Sequence, residues 1–328
     1  MEDRKLRVAI VGLGKMGLVH AGILNVLPNV ELVALCEKSN LIRKFSRKAF
    51  RGLETVDDLE KLAGMNLDAV YVTTPINSHF HVAKAILERI SRNIFVEKTL
   101  AQSYTESKQL ADLASQRSTN MVGYLRRFYV TFQKARELLQ HGAIGKVESF
   151  KAYAYSSDFS DIREEAAVQS SRGGVLRDLG CHAIDLAVWF FGDLDVTSVG
   201  SKSDNQTEDS ISFRAGHSEI FGNFDISWCK EDYRMPEVGF SIAGSKGSLF
   251  VNDDQVKLEQ SNNELLKWYR HNLDDTVPFW LGLPEYYRED SHFVKSVVAG
   301  TKAQPDFCSA AEVDKIIDNV GGGEVEQA

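Results

Sequence analysis

The most informative run for chemistry is Gly12-Leu13-Gly14-Lys15-Met16-Gly17, a G-x-G-x-x-G loop between an apolar run and a helical pattern. Glycines at this spacing permit a tight turn, close backbone approach to a pyrophosphate and packing of a helix onto a strand. The helix N-terminus then faces the anion. Glu37 lies 20 residues past Gly17, at the end of the next apolar run. A carboxylate there can bond adenosine ribose hydroxyls, and it repels the 2′-phosphate of NADP. NAD is therefore expected ahead of NADP, although Lys38, Ser39 and Arg43 could host that phosphate if Glu37 swung aside. The bland reading of the loop is a glycine turn without a ligand.

Three further clusters sit where an open α/β sheet would place its ligands, beyond the C-terminal ends of strands, or in a helix elsewhere. Thr73-Thr74-Pro75 with Asn77 and His79 suits a cofactor crossing the sheet edge; it also fits a strand ending at a proline, followed by turn and cap residues. Glu97-Lys98 closes another strand, where a lysine can hydrogen-bond or relay the proton of a reacting oxygen. A surface lysine paired with Glu97 is the alternative. In Gly173–Asp185, a helix from Asp178 onward would set Asp178 and His182 four apart on one face. A carboxylate beside an imidazole is what a general base for alcohol oxidation needs. On spacing alone, His182 reads first as a satisfied histidine near the core, and Asp185, which could orient His182, reads first as structural. Cys181 and His182 are adjacent, and no other Cys or His cluster completes a tetrahedral set, so no metal is expected. No G-x-S-x-G nucleophile elbow occurs.

The elements that must position these groups fall into two textures. Over roughly residues 1–123, strands alternate with helices: Arg7–Val11, Glu31–Cys36, Asp68–Thr73, Asn93–Val96 and Met121–Tyr124 are separated by helical patterns at Val19–Leu27 and His81–Ile90 and by one opened by Ser103-Tyr104-Thr105-Glu106. That predicts a doubly wound parallel sheet, a Rossmann domain. Residues 124–328 carry one helix near Val130–Gln140 and then long β-rich stretches, with helices only near Asp178–Phe191, Tyr286–Ala299 and Ala310–Val320. This predicts an α+β substrate-binding and oligomerisation domain with a large, mostly antiparallel, open-faced sheet. Covering that face with a second copy is one common solution, so a homo-oligomer is expected. The GGGEVEQA tail reads as disordered.

Composition narrows the function classes. With 43% hydrophobic and 26% charged residues the chain resembles an ordinary globular protein. A net charge of −8 without clustered Lys and Arg argues against nucleic acid as partner. No apolar run is long enough to span a bilayer, and the N-terminal run reads as a strand rather than a signal peptide. Four scattered cysteines with no CxxC pair suit a reducing compartment and a cytoplasmic location.

Taken in order, these motifs resemble the Gfo/Idh/MocA oxidoreductases, the family of glucose–fructose oxidoreductase and inositol dehydrogenase. The resemblance runs from Val8–Gly17 through Thr73-Thr74-Pro75, Glu97-Lys98, Gly123-Tyr124 with Arg126-Arg127-Phe128, and Gly173–Asp185 with Trp189-Phe190-Phe191-Gly192, to the Tyr286…Phe293 helix. It implies nicotinamide-dependent oxidation of a sugar or polyol hydroxyl, in dimers or tetramers. The resemblance gives Lys98, Asp178 and His182 the catalytic roles, places Arg127 near the nicotinamide, and puts Tyr286 near the substrate. Arg172 is a further candidate for substrate contact, with Tyr153, Tyr155, Arg163, Trp228 and Tyr287 as other pocket candidates. The family's E-K-P motif is Glu97-Lys98-Thr99 here, so the residue that presents the lysine differs. A rival reading is a non-catalytic dinucleotide sensor of the same fold, although such a protein is expected to lose part of the Lys/Asp/His set.

Overall fold

The computed structural model describes residues 4–114, 119–158, 173–202, 209–262 and 264–322. The chain forms two compact units, Met1–Leu125 with Thr276–Ala311 and Arg126–Asp275 with Glu312–Ala328.

In the first unit, β1 (Leu6–Val11), β2 (Val30–Cys36), β3 (Glu54–Val56), β4 (Ala69–Val72), β5 (Asn93–Glu97) and β6 (Asn120–Gly123) form one parallel sheet. The strand order is β3-β2-β1-β4-β5-β6, so direction of winding reverses between β1 and β4. Strands buried on both faces need near-continuous apolar runs. Val8, Ala9 and Ile10 of β1 and Val70, Tyr71 and Val72 of β4 supply them and are fully buried. Helices α1 (Lys15–Leu24), α2 (Asn40–Ala49), α3 (Ile76–Arg89) and α4 (Tyr104–Ala114) make the crossovers. At α4 the sequence signal of a capping box is realised in altered form. Ser103 Oγ accepts the Glu106 N–H (3.3 Å), but the Glu106 carboxylate accepts from Gln102, one residue before the cap.

The second unit opens with α5 (Val130–Gln140) and holds an eight-stranded sheet. Its strands are β7 (Val147–Tyr155), β8 (Asp195–Lys202), β9 (Ser210–His217), β10 (Ile220–Ser227), β11 (Glu237–Gly244), β12 (Gly247–Asn252), β13 (Gln255–Gln260) and β14 (Leu265–Tyr269). Every pairing is antiparallel except β7 with β10. Ser245-Lys246 makes the tight turn expected between β11 and β12. Alternation sorts the faces: Phe150, Ala152 and Ala154 of β7 are buried beside α6 (Cys181–Phe191), with Phe150 stacked on Phe191 at 4.5 Å. On the opposite face Lys151 and Phe221 are exposed.

The chain then returns to the first unit with α7 (Pro284–Ala299), before α8 (Phe307–Gly322). This differs from a second domain running unbroken over 124–328. The reason lies in side chains that find partners far back in sequence. Phe293 meets Tyr71 edge-on at 5.4 Å, Val122 N–H donates to Pro305 O (2.9 Å), and Phe307 N–H donates to Asn120 Oδ1 (2.7 Å). Gly321 and Gly322 continue α8, and the rest of the tail lies outside the described residues.

Candidate active site

β1 delivers the glycine loop. Gly12 has φ +93°, and a Cβ there would lie 2.8 Å from Thr74 Cγ2 and Thr74 N. Gly17, buried beneath, would drive a Cβ to 2.1 Å from Gly12 O. Thr73 Oγ1 donates to Gly12 O (2.6 Å), so the loops after β1 and β4, on either side of the winding reversal, are locked together. α1 begins at Lys15 with Gly14 as its cap and no side-chain hydrogen bond. Its first-turn N–H groups are thus left for an anion. Glu37, closing β2, accepts the Leu13 N–H at Oε2 and the Ser39 N–H at Oε1, each at 2.8 Å. Arg43 donates to the Glu37 and Lys38 carbonyls (2.7 and 2.5 Å).

These parts line a cleft of about 980 Å³ that lies wholly in the first unit. It reaches the upper end of the range for ligand sites. Gly12, Gly14, Lys15, Met16, Glu37, Lys38, Thr73, Thr74, Pro75 and Asn77 all line it, as the sequence suggested. Ile42, Asp57, Asp58, His81 and Val82 line it as well. Sequence reasoning missed these five; the carboxylates follow the three-residue β3, too short to show a period. A dinucleotide fits the cradle: glycines where a Cβ would collide, uncapped amides at a helix start and a carboxylate fixed at the far strand end.

Other expectations move away from the cleft lining. Gly17 packs helix on strand rather than facing the cavity. His79 is 1% exposed, with Nδ1 2.8 Å from Thr99 O and Nε2 2.7 Å from Thr74 O. Burial holds its pKa below the usual histidine value, against the two carbonyls, which favour the charged ring. It ties the loop after β4 to the turn after β5 and is not a surface for cofactor. Glu97 and Lys98 close β5, half-buried and outside the lining. The Lys98–Thr99 peptide is cis, and Thr99 is buried with its Oγ1 donating to Ala101 O (3.3 Å). Tyr286, on α7, is half-buried, its ring edge-on to His20 at 6.0 Å.

In the second unit, Leu176–Gly180 forms a π-helical turn that runs into α6. The helix is thus not α-helical from Asp178 onward. The π turn holds more residues than an α turn, and it carries Asp178 and runs to the start of α6, where His182 sits. Asp178 and His182 are both half-buried. Such turns recur at functional sites. Asp185 is fully buried and grips Arg127 with both oxygens (Arg127 Nε at 2.9 and 3.1 Å, Nη2 at 2.6 Å). Arg127 also lies 5.6 Å from the Trp189 ring and is 4% exposed. Arg127, expected beside the nicotinamide, is engaged in this internal ion pair, which offsets the cost of burying the Asp185 charge. Trp228 is 1% exposed and belongs to the core, while Tyr153 and Tyr155 stack at 4.9 Å. Arg163 and Arg172 lie outside the described residues.

The sequence profile of the oxidoreductase family with NAD-binding Rossmann fold matches residues 6–124, and that of the GFO/IDH/MocA C-terminal domain matches 132–250. The chain belongs to the Gfo/Idh/MocA oxidoreductase family. Residues 6–124, within the first unit, are the family's NAD-binding domain. Among curated relatives, an uncharacterised oxidoreductase of Schizosaccharomyces pombe is 29% identical over 57% of the chain, which spans only 52% of that protein. The scyllo-inositol 2-dehydrogenase (NAD(+)) of Bacillus subtilis is 28% identical over 76% of the chain and 74% of its own length. Levoglucosan dehydrogenase, solved with NADH and levoglucosan, shares the fold: TM-score 0.83, 20% identity, 97% of this chain and 96% of that one. Among the described residues, no helix is long and apolar enough to cross a membrane.

Proposed function

We propose that the protein is an NAD-dependent dehydrogenase acting on a secondary hydroxyl of a sugar, polyol or sugar derivative. The observation that carries this reading is the cleft at β1 and β4, whose glycine loop, open helix start and fixed Glu37 match a dinucleotide. When bound, NAD supplies the hydride acceptor. Lys98 holds the reacting oxygen and polarises it. His182 takes the hydroxyl proton as the carbon gives up its hydride and the C=O bond forms, and it returns that proton in the reverse direction. Asp178 orients His182 and steadies its imidazolium. Tyr286, with Arg172 as a further candidate, contacts the remainder of the substrate.

The choice of NAD over NADP is supported by Glu37, whose two oxygens are both held by backbone N–H groups, and by Arg43, which is engaged by carbonyls rather than turned to a phosphate. The choice of a ring hydroxyl is supported by the names of the inositol and levoglucosan dehydrogenases among the similar proteins. The reading extends to a homodimer or homotetramer formed through the open sheet face, where Phe221 is 61% exposed. It also extends to a reducing, cytoplasmic setting, which suits four unbridged cysteines.

The test is a nicotinamide absorbance assay with NAD+ and NADP+ against free polyols, sugar phosphates and nucleotide sugars. Turnover with one of these classes, faster with NAD+, is expected. Tight NADH binding with no turnover in any class would overturn the enzyme reading in favour of a dinucleotide sensor.

A further inference from the structure

His20 is fully buried in α1, one turn beyond the glycine loop, and its ring is clamped at both nitrogens. Nδ1 lies 2.8 Å from Asp290 Oδ1 on α7, and Nε2 lies 3.0 Å from Glu97 Oε1 at the end of β5. The other oxygen of Glu97 accepts the backbone N–H of Lys98 at 3.1 Å. Phe95 and Tyr71 wall the ring at 5.1 and 5.6 Å, with Tyr286 edge-on. Inside the fold, the members of a polar chain of this kind are strongly coupled, each to the next.

We propose that His20 is a positioning residue for Lys98: bridged between Asp290 and Glu97, it fixes the Glu97 carboxylate that holds the lysine's backbone and faces its charge. The proposal rests on the catalytic role given above to Lys98. Two carboxylates at hydrogen-bond distance from both ring nitrogens suit only the imidazolium, which donates twice. Complete burial opposes the charge, yet Asp290 and Glu97 together carry the His20 pKa well above its usual value. Burial likewise opposes Glu97, but His20, and after it Lys98, hold that carboxyl below its usual range. Burial raises the Asp290 carboxyl, and His20 offsets part of that. Glu289, also buried on α7, acts on Tyr71. The Asp290–His20–Glu97 chain therefore keeps an anion beside Lys98 in a part of the fold that would otherwise neutralise it.

The test uses the full-length protein with its lysines reductively 13C-methylated, and Lys98→Arg identifies the Lys98 resonance. In His20→Asn, Glu97 loses its cation and drifts towards neutral, so the Lys98 resonance moves and its titration midpoint falls. The other lysine resonances stay in place, and NADH affinity by fluorescence changes by less than about threefold, below the 1.4 kcal/mol that marks a tenfold change. Asp290→Asn, which removes the anion behind the ring without changing size, gives a smaller shift in the same direction and serves if His20→Asn does not fold. A Lys98 resonance and midpoint identical to wild type in a folded variant overturn the proposal. Wild-type turnover, assayed separately with scyllo-inositol and NAD+, reports on the dehydrogenase reading alone. A moved Lys98 resonance in a protein that turns nothing over would keep His20 in its role and remove the substrate.

Discussion

The first unit gathers its buried charges around a strand end: Asp290, His20 and Glu97 form a line that finishes at the backbone of Lys98. The second unit holds its buried charges in ion pairs between its own elements. Arg127 pairs with Asp185, Arg126 with Asp253, and Arg177 with Asp314 and Asp318. Burial carries a desolvation cost in both sets, but the ends differ. The line in the first unit reaches the backbone of the residue proposed to hold the reacting oxygen, whereas the pairs named in the second unit join one element of the scaffold to another. Buried charge in this molecule therefore says little about function until its far end is traced.

The contrast breaks most visibly at Asp185. Asp185→Ala takes the buried carboxylate away from the Arg127 guanidinium and should cost about 3–5 kcal/mol of stability, read as a lower urea midpoint. NADH affinity at a temperature where the variant remains folded should be unchanged; a loss of NADH binding there would return Arg127 to the cofactor. Gly12→Val sharpens the other side. Strain at φ +93° and collision with Thr74 each cost roughly 1–3 kcal/mol, so NADH binding should weaken by about a hundredfold. Glu37→Gln keeps the shape and removes the charge. NADH affinity should drop by about tenfold, the worth of a hydrogen bond to a charged group, while NADPH affinity rises, narrowing the preference measured by fluorescence titration.

A smaller effect concerns pH. The His20 pKa is raised in the folded state, so its contribution to stability is complete below the unfolded value of about 6.5 and fades as pH climbs through the folded value. Glu97 is lowered, so its contribution is present above its unfolded value and fades on the acid side. The stability deficit of His20→Asn should thus be larger near pH 6 than near pH 9 in parallel urea titrations. A deficit that stays constant across that window would mean that His20 is neutral in its clamp.

Local signals carried much of this architecture. The glycine loop, Glu37 and the alternation of β and α patterns over the first 123 residues announce a dinucleotide fold because each depends on neighbours in sequence. α2 escaped notice because only Ser46 of its ten residues is buried, which leaves no apolar stripe to read. β13 offers only Val256 and Leu258 as buried apolar positions, and β14 none. The return of α7 to the first unit and the partners of His20, 77 and 270 residues away, are long-range packing that no window of sequence contains. One hint existed: a histidine inside the otherwise apolar run Val19–Leu24. The pairing of Arg127 with Asp185 was equally out of reach, since position within a motif says nothing about a carboxylate 58 residues on.

The central claim is that the cleft of the first unit binds NAD for a reaction in which Lys98 takes part. Lys98→Ala tests it directly, with NADH binding followed by fluorescence and turnover of the best polyol or sugar followed by nicotinamide absorbance. Binding within about threefold of wild type, with turnover down by roughly 10²–10⁴-fold, is the predicted result for a lost proton-transfer or oxygen-holding group. Full turnover in Lys98→Ala would contradict it.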